Sequence, residues 1–99
     1  MKIHNPANGA VITDVDVDTS ASVRAKYHRA RAAQPHWAGL PIKKRVATIA
    51  AFRDRLAAMH EALARTLTEE VGKPIRQSRN ELNGLTGRLD FFLAESQRT

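Results

Sequence analysis

Cysteine is absent from the 99 residues, which excludes a disulfide framework, a thiolate zinc site and a thiol nucleophile within them. A reducing cytoplasm is the expected compartment. Aromatics are scarce: Trp37, Tyr27, Phe52, Phe91 and Phe92 are all there are, so a core must come mainly from aliphatic side chains. No run approaches the roughly 18–20 apolar residues that a membrane helix needs. Met1-Lys2-Ile3-His4 passes directly into Asn5-Pro6, without the apolar segment of a signal peptide. Neither a membrane span nor a leader is expected.

Positive charge, by contrast, is abundant. Lys and Arg number 16 against 10 Asp and Glu, for a net charge of +6, and the pI is about 10.5. Those figures invite a nucleic-acid reading, but apart from Lys2 the basic residues are spread from Arg24 to Arg98 and interrupted by acids. Only Lys43-Lys44-Arg45 is compact, either as a solvated helix start or as a phosphate-binding patch. A basic helical module for nucleic acid, or a free-standing helical protein-interaction domain, is therefore the rival to the reading reached below.

Asn5-Pro6-Ala7-Asn8-Gly9 is turn chemistry. After it, Val11, Thr13, Val15 and Val17 alternate with Ile12, Asp14, Asp16 and Asp18, predicting a strand with valines on one face and aspartates on the other. The aspartates suit a sheet edge. Residues 1–18 are thus expected to form a turn and an edge strand. Thr19 or Ser20 can cap a helix over 19–37, with Val23, Tyr27 and Ala30 on one side, Pro35 ending the run and Trp37 as an apolar anchor beyond it.

Gly39-Leu40-Pro41 breaks the chain, and Pro41 suits the first turn of a second helix. The strongest pattern follows over 41–72. Ile42, Val46, Ile49, Phe52, Leu56, Met59, Leu63, Leu67 and Val71 fall within an arc of roughly 140° on a helical wheel. So long a stripe is expected to bend or change helix near Met59-His60-Glu61. Gly72 reads as its stop, and Pro74 opens a last helix over 74–95 whose inner face carries Ile75, Leu82, Leu85, Leu89 and Phe92 or Leu93.

Few residues point to chemistry. Asp14, Asp16 and Asp18 imitate the start of a calcium loop, but Thr19 and Ala25 stand where such a loop needs glycine and glutamate. Gly72-Lys73 lacks the upstream glycine and following hydroxyl of a phosphate loop, and Pro74 removes an amide. His4, His28, His36 and His60 never pair at the spacing that puts two imidazoles on one helix face; His60 lies in the apolar arc, as a hydrogen-bonded core or interface residue rather than a ligand. Arg45 and Arg53 project into the same arc. Either their stems lie along the core with heads in water, or they bond to a surface this chain does not contain, since stranding a buried guanidinium costs several kcal/mol.

Taken together, several segments resemble aldehyde dehydrogenases. Asn5-Pro6-Ala7-Asn8-Gly9 before a valine-rich strand is similar to that family's Asn-Pro-Ala-Thr-Gly signature. Ala30-Arg31-Ala32-Ala33-Gln34-Pro35-His36-Trp37 resembles its helix ending in Trp. Arg45 followed by Ile49, Phe52 and Leu56 resembles its Arg-x-x-x-Leu helix, and Glu70-Val71-Gly72-Lys73-Pro74 its Glu-x-Gly-Lys-Pro turn. Glu81-Leu82 and Asp90-Phe91-Phe92 sit where the family has Glu-Val and an aromatic pair. Asn8 for threonine, Asn80 for glycine and Leu93 for alanine are departures. The similarity runs through nearly the whole chain, in order.

The resemblance implies a mainly α segment, one short strand plus three or four helices, from the N-terminal part of an α/β enzyme. It implies covalent catalysis by a cysteine, oxyanion stabilisation, hydride transfer to NAD or NADP and a glutamate that activates water. It places all of these groups beyond Thr99, so no catalytic or cofactor-binding residue carries over and the isolated chain is expected to be inactive. Its partners are then the remainder of the enzyme or, without that, a second copy through the exposed stripe. Some family members also hold a monovalent cation with carbonyls before the Asn-Pro turn and an acidic side chain of the last helix. Ile3, His4 and Glu81 occupy the matching positions, with capping or pairing as the other reading of Glu81.

Overall fold

The computed structural model describes residues 1–98, and within them the chain folds as a hairpin followed by four helices. Strand β1 (Lys2–His4) pairs antiparallel with β2 (Val11–Asp14). The turn between them is built by side chains and one glycine. Asn5 Oδ1 accepts from the Ala7 amide and Asn8 Oδ1 from the Ala10 amide, both at 2.9 Å. Gly9 supplies a positive φ of 74° that an L side chain resists.

The hairpin departs from the single strand expected. β1 has only 3 residues, too few to show an alternation, and β2 ends at Asp14 instead of running on to Val17. The register shifts between Ile3 and His4, because Ile12 is an extra residue between Thr13, which pairs with Ile3, and Val11, which pairs with His4. Such a bulge breaks the period of two. Ile12 is accordingly the half-covered residue, while Val11, Val15 and Val17 are exposed.

Helix α1 (Ser20–Gly39) starts at Thr19, whose Oγ1 accepts from the Ser22 amide at 3.1 Å while Ser22 Oγ accepts from the Thr19 amide at 2.9 Å. This reciprocal cap satisfies two amides that the helix start would leave open. Pro35 was expected to end the helix, yet it lies inside α1, which continues to Gly39. The proline ring removes one amide and frees the carbonyl one turn earlier. On a helix whose side chains from Val23 to Gly39 are all exposed, water can satisfy that carbonyl.

Helix α2 (Ile42–Ala58) and helix α3 (His60–Val71) are separated by Met59 alone. Met59 has φ −97° and ψ 8°, and its amide still bonds to the Arg55 carbonyl at 3.0 Å. The long stripe thus changes helix where it was expected to. Gly72 closes α3 in the left-handed region with φ 78°. Pro41 and Pro74 each stand one residue before a helix, and their carbonyls take its first amides.

Helix α4 (Ile75–Glu95) runs back along α3 and α2, as the partner order Thr68–Ser78, Glu61–Arg79 and Arg53–Asp90 shows. Small side chains let α3 and α4 approach closely. Ala64 and Ser78 are both fully buried, and Ser78 Oγ shares a 2.7 Å hydrogen bond with Thr68 Oγ1. A buried hydroxyl needs such a partner. Leu82, Leu89 and Leu93 are partly covered on α4, whereas Leu85 and Phe92, placed on its inner face by periodicity, stay exposed.

Candidate functional site

Two of the segments that looked family-like touch each other. A β-carbon built on Gly72 would lie 2.7 Å from Pro6 Cγ, so the turn after α3 rests against the hairpin turn with no room for a side chain. Gly72 therefore serves twice, for its positive φ and for this approach. The next residue, Lys73, pairs its ammonium with the Glu81 carboxylate on α4. Turn, helix start and hairpin are thereby tied at one end of the molecule.

Ile3 and His4, the other two candidate cation ligands, lie in β1. His4 Nδ1–H donates to the Gly9 carbonyl at 3.1 Å, and Ile3 pairs with Thr13. No hydrogen bond or ion pair joins these residues to Glu81 among the described residues. Two carbonyls and a carboxylate are hard oxygen donors suited to a monovalent cation, but Glu81 is already neutralised by Lys73. Among the described residues no three His, Cys, Asp or Glu side chains gather as a metal centre.

The two arginines of the stripe have different fates. Arg53 Nε donates to Asp90 Oδ1 at 2.7 Å and its Nη2 to Oδ2 at 2.9 Å. This bidentate bond holds the Asp90 carboxyl below its ordinary range. Arg79 grips Glu61 in the same way, at 2.9 and 2.7 Å, and depresses that carboxyl too. The Arg79 carbonyl takes His60 Nε2–H at 3.2 Å, which accounts for a histidine in the apolar arc. Arg45 has no such partner among the described residues, where its Nε is buried with no acceptor.

Arg45 borders a cleft of about 290 Å³ between the end of α1, the start of α2 and the last turns of α4, walled by Trp37, Val46, Ile49, Leu89 and Phe92. Trp37 and Arg45 stood out in the sequence as an anchor and an arc-facing cation. Their meeting with Leu89 and Phe92 depends on how α1 and α4 pack, which periodicity within one helix does not reveal.

The larger surface is open and apolar. The accessible area is 7755 Å², against roughly 5,600 Å² for a compact monomer of this mass. The radius of gyration is 17.5 Å, where about 13 Å is usual for this length. Tyr27 is 58% exposed, Phe52 54%, Val71 57% and Phe92 58%. Helix α1 buries no residue. The excess of about 2,000 Å² is on the scale that a large, permanent interface covers, so the arrangement offers surface on which another body of protein can dock.

The chain belongs to the aldehyde dehydrogenase family, whose profile matches residues 1–99. Among curated proteins it is similar to 3,6-anhydro-alpha-L-galactose dehydrogenase of Streptomyces coelicolor, 33% identical over 99% of this chain and 20% of that protein. It is likewise 33% identical to N-succinylglutamate 5-semialdehyde dehydrogenase of Chromobacterium violaceum, over 96% of this chain and 20% of the relative. Glutarate-semialdehyde dehydrogenase of Pseudomonas putida is 31% identical over 99% of the chain and 20% of its own length. The chain thus spans about a fifth of the length of these relatives. No solved structure matches it.

Proposed function

We propose that this chain is the N-terminal helical segment of an NAD(P)-dependent aldehyde dehydrogenase that oxidises an aldehyde to a carboxylic acid, and that its own role is structural. It packs α1 and the α2–α3 stripe against the dinucleotide-binding part of the enzyme and contributes no catalytic or cofactor-binding residue. The observation that carries this reading is the apolar surface left open on a family member that spans a fifth of its relatives. The cofactor, when bound to the rest of the enzyme, accepts the hydride.

The relatives named above act on semialdehydes or an anhydrosugar by their names, which makes a carbonyl-bearing small metabolite the substrate class for the whole enzyme. The nucleic-acid rival is weaker, because the basic residues are scattered among acids with Lys43-Lys44-Arg45 as the one compact run, and Arg53, Arg79, Lys73 and Lys26 are engaged with carboxylates of their own chain. Aldehyde-dependent formation of NADH or NADPH tests the proposal. The chain alone gives none, and the chain expressed with the rest of the enzyme restores it; turnover by the chain alone overturns the reading.

Alone, the chain self-associates through its open apolar faces, and sedimentation shows a mass that rises with concentration. A clean monomer at millimolar concentration contradicts this. In the whole enzyme a monovalent cation at the Ile3 and His4 carbonyls competes with Lys73 for Glu81. Sodium or potassium then raises thermal stability more in Lys73→Met than in the parent, and an equal response in both removes the cation assignment.

A further inference from the structure

We draw no further inference here: the strongest candidate, the apolar cleft that Trp37, Ile49 and Leu89 wall between the end of α1, the start of α2 and the last turns of α4, carries none because nothing in the structure shows what covers it.

Discussion

Arg53 on α2 and Asp90 on α4 meet fork to fork, with Nε–Oδ1 at 2.7 Å and Nη2–Oδ2 at 2.9 Å. They stand 37 residues apart in sequence and tie the first half of the stripe to the last helix. The geometry is planar and two-pronged, which lysine cannot reproduce. Arg79–Glu61 repeats it between α4 and α3. Both pairs touch solvent, so they orient the helices more than they stabilise them.

These pairs predict how the fold responds to acid. Arg53 depresses Asp90, Arg79 depresses Glu61, and Lys26 with Ser22 depresses Asp18. A carboxyl with a lower pKa folded than unfolded adds stability above its unfolded value, and that contribution is lost as pH falls through the folded value. Thermal midpoints followed by helical circular dichroism should hold steady from pH 7 to about 5 and fall from about pH 4 downward. Asp90→Asn combined with Glu61→Gln should flatten the acid side and lower the plateau. An unchanged acid limb in that double variant refutes these carboxylates as its origin.

Much of this architecture was legible because it rests on periodicity and punctuation. The stripe from Ile42 to Val71, the change of helix at Met59, the stop at Gly72 and the helix starts after Pro41 and Pro74 all come from local chemistry that one stretch of chain carries alone. The hairpin was only half legible, since β1 exists through its partner and the Ile12 bulge undoes the alternation. Pro35 misled because the rule that proline ends a helix assumes a freed carbonyl with no other donor to meet it, whereas α1 is bathed in solvent. Arg45 and Trp37 were each visible; the cleft that joins them belongs to tertiary packing.

Ser78 and Ala64 set the distance between α3 and α4. Ser78→Ala leaves Thr68 Oγ1 without its 2.7 Å partner and should cost about 1–2 kcal/mol in urea unfolding. Ala64→Leu inserts bulk where Ala64 has no exposed surface and should cost about 1–3 kcal/mol. If Ala64→Leu is neutral or stabilising, the helices are not in close contact there.

Gly72→Ala meets two penalties, the positive φ of 78° and the Pro6 ring. It should destabilise by more than about 1 kcal/mol. Adding Pro6→Ala removes Cγ and should recover part of that loss, leaving the backbone penalty behind. Strictly additive losses in the double variant would show that the two turns do not press on each other.

Hydrogen exchange along α1, compared between the chain alone and the chain within the whole enzyme, tests the docking account most directly. Helix α1 buries nothing of its own, so its amides should exchange nearly unprotected in the chain alone and slow by about 100-fold or more once the enzyme is complete. Equal protection of α1 in both would contradict the claim that its apolar side, with Phe52 and Val71, is the face the rest of the enzyme covers.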